Sequence, residues 1–89
     1  MRLKMEDRVL FTLNHILQKK KRKITLESRL REDLFVDSLD MSMIIGDLED
    51  EFEIIITDDE FANVVTVNDI VEKLKARGLS DYLSVMNLV

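Results

Sequence analysis

Ser38 stands between Asp37 and Leu39, with Asp40 next, where an irregular stretch gives way to a strongly periodic apolar one. A serine hydroxyl is a nucleophile only when a base takes its proton, and no His or Lys lies nearby in sequence. The single histidine, His15, falls far upstream, ahead of the run from Lys19 to Lys23. A serine–histidine–acid set therefore has no base in place. The hydroxyl makes better sense as a substrate, modified by another enzyme. A phosphodiester attached there would lie by the free N–H groups and positive dipole end of the helix that follows. The flanking acids would oppose that charge, so the residues describe a permissive site rather than an anion trap. The plainer role for such a serine is a helix N-cap, for which Asp37 and Ser38 are both good residue types.

Other chemistries find little support. The chain has no Cys, which removes disulfides and thiolate ligands. With one His and no Cys, a His/Cys zinc site cannot be assembled. Residues 47–59 are acidic but lack the loop glycine and regular ligand spacing of a calcium-binding EF-hand.

The elements that must position Ser38 follow from apolar periodicity. Val9, Leu10, Leu13, Ile16 and Leu17 recur at helical spacing and predict a first helix over residues 3–18. The lysine run after it reads as cations complementing a helix C-terminus in water. Residues 24–37 form a long connection, with Ile24, Leu26, Leu30 and Leu34 irregularly spaced, as in a loop plugging the open side of a bundle; loops this long are often functional. A second helix is predicted over residues 38–52. Met41, Ile44, Ile45, Leu48 and Phe52 share its core face, and Leu39 and Met43 fall on the opposite face. Ile54, Ile55 and Ile56 lie in an extended connection, and a short third helix is expected over residues 58–63. Thr66 and Asp69 resemble a capping box opening a last helix, with Val67, Ile70, Val71 and Leu74 as its stripe and Gly78 placed to end it. The fold class is all-α: a small four-helix bundle with a long loop between the first two helices.

Eighty-nine residues make one domain, here read as residues 1–79 with a C-terminal extension over 80–89. No long apolar run suggests a secretory signal or membrane span, and the expected setting is cytoplasmic. Net charge is −5, unevenly distributed: no Lys or Arg occurs between Arg31 and Lys73, where most of the acids lie. One face should be strongly negative, attracting basic partners and repelling nucleic acid. A monomer is the default, although Phe35, Leu39 and Met43 could form an apolar patch.

The tripeptide Asp37-Ser38-Leu39 resembles the phosphopantetheine attachment motif of acyl carrier proteins. Asp33-Leu34 before it, Asp40 after it, Leu48-Glu49-Asp50-Glu51-Phe52 at the helix end, Ile56, Asp58, Thr66-Val67 and Asp69-Ile70 all fall where that family places similar residues. The likeness spans about residues 5–77. It implies a four-helix bundle that catalyses nothing itself and carries a 4′-phosphopantetheine arm on Ser38, put there by a phosphopantetheinyl transferase. Acyl groups would ride as thioesters on the arm's thiol. The implied partners are acyl-transferring or acyl-modifying enzymes with basic docking patches, and the matching docking positions are Asp37, Leu39, Asp40, Met43, Asp47, Glu49 and Asp50. Ile44, Ile45, Leu48, Phe52, Ile56 and Phe61 are candidates to line an acyl pocket, each with plain core as its alternative.

The chain also departs from the family. Phe35 stands where a small residue, often Gly, is common; Met43 replaces an acid on the docking helix; Ser42 replaces an apolar residue; and Gly46 sits in mid-helix. These changes suggest a specialised carrier for fatty-acid, lipid or polyketide-type synthesis. Two other readings are an aminoacyl or peptidyl carrier and an unmodified acidic scaffold.

Overall fold

Val9, Leu13 and Leu17 lie on one side of the first helical segment and all three are buried. The computed structural model describes residues 4–18 and 23–78. Within them the element order is α1 (Met5–Ile16), α2 (Ser38–Phe52), a single 3₁₀ turn (Asp58–Phe61) and α3 (Val67–Ala76). Helix α1 packs against both α2 and α3, and α3 also meets the 3₁₀ turn. One apolar core joins Met5, Val9 and Leu13 to Ile44 and Leu48 of α2 and to Val67, Ile70, Val71 and Leu74 of α3. The long loop adds Leu30, Leu34 and Val36 to the same core.

The all-helical class stands, but the helix count needs correction. Among the described residues there are three α-helices, and the short third helix expected over 58–63 is one 3₁₀ turn. Its hydrogen bonds run from Glu60 N–H to the Thr57 carbonyl and from Ala62 N–H to the Asp59 carbonyl. Four residues between two extended stretches close only the tighter ring, which 3₁₀ turns typically do as connectors. The first helix is also shorter than residues 3–18 at its C-terminal end, where Leu17 is the C-cap. Lys19 to Arg22 of the lysine run, and the extension over 80–89, lie outside the described residues.

Two caps fix where α2 and α3 begin. Thr66 accepts from the Asp69 N–H, and Asp69 accepts in return from the Thr66 N–H at 3.0 Å and the Val65 N–H at 2.8 Å. This reciprocal box satisfies donors that a helix start leaves open. At the far end of α3, Gly78 takes φ +89°, a conformation that glycine enters without steric cost.

The long loop is held by its backbone. Leu30 N–H donates to the Val65 carbonyl, Val67 N–H to the Ser28 carbonyl, and Asn68 N–H to the Leu26 carbonyl. Arg29 and Thr66 form an isolated antiparallel bridge. The loop is thus laced to the start of α3 before it turns through residues 29–34 toward Ser38. Asp33 secures that turn, accepting from the Arg29 backbone N–H at 2.8 Å and from the Arg29 guanidinium at 3.3 Å. The carboxylate beside it raises the already high pKa of Arg29.

Candidate functional site: an exposed serine beside a cleft

Helix α2 begins with a capping box made by its neighbours, not by Ser38. Asp37 is the N-cap: its Oδ1 accepts from the Asp40 N–H at 2.8 Å, and Asp40 Oδ2 accepts from the Asp37 N–H at 3.4 Å. Ser38 is therefore the first helical residue, exposed, and its hydroxyl makes no hydrogen bond to any described residue. The N-cap role open to Ser38 in the sequence belongs to Asp37.

A cleft of about 340 Å³ opens beside this hydroxyl. Loop residues Leu30, Arg31 and Val36 form one wall, α2 contributes Ser38, Met41, Ser42 and Ile45, and Phe61, Ala62 and Val64 close the far side. The lining is apolar within and polar where Ser38, Ser42 and Arg31 stand. Among the described residues, no histidine and no carboxylate lines it. His15 lies in a separate shallow depression with Phe11, Thr12, Asp47, Asp50 and Glu51. Among the described residues no histidine or carboxylate lines the cleft with Ser38 to serve as a base, which fits a hydroxyl that is acted upon.

The acyl-pocket candidates divide. Ile45 and Phe61 line the cleft. Ile44 and Leu48 do not: they are fully buried on the α1 side of α2, and Ile56 is buried core as well. Phe52 lies under the Arg8 guanidinium instead. The reason is helical geometry: 3.6 residues per turn put positions 41, 42 and 45 toward the cleft and 44 and 48 toward α1. Sequence reading missed Met41, Ser42, Val64 and Arg31 as lining residues. Arg31 carried one signal, as the last cation before the long basic-free stretch.

The docking candidates also separate. Leu39 and Met43 are 69% and 44% exposed, on adjacent turns of one face. Asp47 and Asp50 are exposed. Asp37 and Asp40 are tied into the capping box at the tip of α2. Glu49 is turned inward, its Oε2 accepting from the Ile56 N–H at 2.8 Å, so it holds the extended segment after α2. Phe35, next to the site, has φ +55° and is 52% exposed. Glycine would take this left-handed backbone without the strain a phenylalanine carries.

An exposed serine at the head of a helix, its hydroxyl unbonded to any described residue and a cleft alongside, fits the class of proteins that carry a group on a serine. Comparison with known proteins gives the class its name. The family model described as "Phosphopantetheine attachment site" matches residues 7–74. An acyl carrier protein of Exiguobacterium sibiricum is 41% identical over 61 residues, covering 68% of this chain and 77% of the relative. One from Rickettsia canadensis is 39% identical over 74 residues, covering 83% and 86%. A solved structure from Mycobacterium tuberculosis assigned to the acyl carrier proteins superposes with TM-score 0.73 at 36% identity, covering 82% of this chain and 97% of its own. The chain belongs to the acyl carrier protein family. It is a carrier and not an enzyme, with 4′-phosphopantetheine as its prosthetic group. Among the described residues no helix is long and apolar enough to cross a membrane.

Proposed function

We propose that Ser38 is the attachment point of the arm, and that the protein is a specialised cytoplasmic carrier, monomeric, for fatty-acid, lipid or polyketide-type synthesis. When bound, the group supplies the thiol that this cysteine-free chain lacks, on which acyl units are held as thioesters. The chain's own part is to present the hydroxyl, shelter what hangs from it, and be recognised. The observation that carries the reading is that Ser38 is exposed and its hydroxyl bonds to no described residue, the cap being made by Asp37.

Recognition falls to the outer face of α2. Leu39 and Met43 offer apolar contact, with Asp47 and Asp50 further along and Asp37 and Asp40 at the tip. Basic patches on a phosphopantetheinyl transferase and on acyl-handling enzymes would be steered to this face, giving fast encounter with modest affinity, as a shuttle needs. Met43 in place of an acid makes the middle of the face apolar, which supports a dedicated set of partners. The cleft residues Met41, Ile45, Phe61 and Val64 suit an apolar cargo.

The test is intact mass after incubation with coenzyme A and a phosphopantetheinyl transferase. The wild-type chain should gain one phosphopantetheine and Ser38→Ala none. A wild-type chain that stays unmodified, or an Ala variant that is modified equally, would refute the assignment.

A further inference from the structure

Resting on the attachment of the arm to Ser38, we infer that Arg31 is a positioning residue whose guanidinium holds the phosphodiester of the arm at the mouth of the cleft. Arg31 is the one charged residue among those lining the cleft, and Ser38 lines the same cleft. It is also free to act. Of the described arginines, Arg8 pairs with Glu51, Arg29 with Asp33 and Arg77 with Glu60, whereas Arg31 is exposed and makes no ion pair or hydrogen bond to a described residue.

Covalent attachment makes the match specific. The phosphorus of the arm is bonded to Ser38 Oγ, so its anionic oxygens stay within a bond or two of that atom. Their surroundings are electrically lopsided. Asp37 and Asp40 flank Ser38 along the chain, with carboxylates engaged at the helix tip. Among the described residues, those lining the cleft include Arg31 and no carboxylate. A diester there meets the flanking carboxylates as well as the N–H groups of the helix start, and a planar guanidinium on the cleft side suits its paired oxygens and draws it that way. The consequence is direction: the arm starts into the cleft lined by Met41, Ile45 and Phe61 rather than along the acidic face.

The experiment compares apo and arm-loaded protein for wild type, Arg31→Gln, Arg31→Lys and Arg29→Gln. Loading is first verified by intact mass. Loading should lower the Tm of Arg31→Gln by about 3 °C relative to its effect on wild type, the order expected of one exposed ion pair. That difference should shrink between about 20 mM and about 500 mM salt, and Arg31→Lys should recover part of it. The phosphorus NMR resonance of the loaded chain should move and narrow in Arg31→Gln as the diester gains freedom. Arg29→Gln should change apo and loaded forms alike.

If neither wild type nor variants accept the arm, the carrier reading itself fails and takes this inference with it. If all accept it and Arg31→Gln shows neither the Tm difference nor the phosphorus change, the inference alone is overturned. It is overturned too if only Arg31→Gln refuses the arm, which places Arg31 at the transferase encounter. An effect confined to protein loaded with a carboxylate-bearing acyl group would move the anion from the diester to the cargo, and would equally reject the assignment.

Discussion

The Arg8 guanidinium lies 4.2 Å from the centroid of the Phe52 ring, and its Nε donates to Glu51 Oε2 at 3.0 Å. Nη2 of the same group donates to the Glu51 backbone carbonyl, also at 3.0 Å. Arg8 is nearly buried, so this one side chain ties α1 to the last turn of α2 by an ion pair, a backbone contact and a stacked ring. Unsatisfied carbonyls at a helix C-terminus favour a cation there. The relationship anchors the end of α2 opposite Ser38 to α1.

Arg8→Ala should therefore destabilise the fold by about 2 kcal/mol, below the value for a fully buried pair because the Glu51 side chain is 41% exposed. Arg8→Lys should recover less than half, since an ammonium cannot serve both oxygens and stack on the ring. Urea unfolding of both variants measures this. A loss for Arg8→Ala no larger than that of an ordinary surface residue would show that the contact contributes nothing.

Gly46 lies inside α2, and a Cβ built there meets nothing within 4 Å. No packing reason opposes a side chain, while glycine within a helix costs about 1 kcal/mol relative to alanine. Gly46→Ala should stabilise the protein by about 0.5–1 kcal/mol, raising Tm by a few degrees. A fall in Tm would reveal that the helix must flex or be approached closely at this point.

Phe35 tests the left-handed backbone before the attachment site. Phe35→Gly and Phe35→Ala both remove the ring, but only glycine takes φ +55° without strain. The Gly variant should be the more stable of the two by about 1 kcal/mol. Equal stabilities would mean that the backbone at 35 relaxes once the ring is gone.

Acid should weaken the fold through two carboxylates. Hydrogen bonds from the Thr66 and Val65 amides hold Asp69 below its ordinary pKa, and the hydrogen bond from Lys75 does the same for Glu6. A depressed folded-state pKa favours the ionised group in the native protein. The stability it gives is present above the unfolded carboxylate range of about 4 and is lost as pH falls through the folded value. Asp69→Asn should cost about 1 kcal/mol at neutral pH, a typical helix-cap loss. It should also flatten the decline of the urea midpoint between about pH 5 and about pH 3. A decline as steep as that of wild type would place the acid sensitivity elsewhere.

Much of this molecule could be read from the order of its residues. The bounds of α2, the four-residue stripe of α3 (Val67, Ile70, Val71 and Leu74) and the exposure of Leu39 and Met43 follow from spacing, because a helix repeats every 3.6 residues whatever surrounds it. The capping box at Thr66 and the stop at Gly78 were legible for the same reason: both are made by residues within one turn of each other. So was the candidate hydroxyl, from Asp37-Ser38-Leu39 in its acidic setting.

What spacing could not decide was which side chains meet across the chain. A charged Arg8 reads as surface until Glu51 and Phe52 are brought over it from α2. Spacing gives Glu49 no sign of the Ile56 N–H that its carboxylate accepts from seven residues on. Periodicity set Met41, Ile44, Ile45 and Leu48 on one stripe. Only the approach of α1 on one side, and of the loop and Phe61 on the other, split that stripe into core and cleft wall. Local order sets which way a side chain leaves its helix. What it then touches depends on segments distant in sequence, whose arrangement is settled by packing the whole core at once.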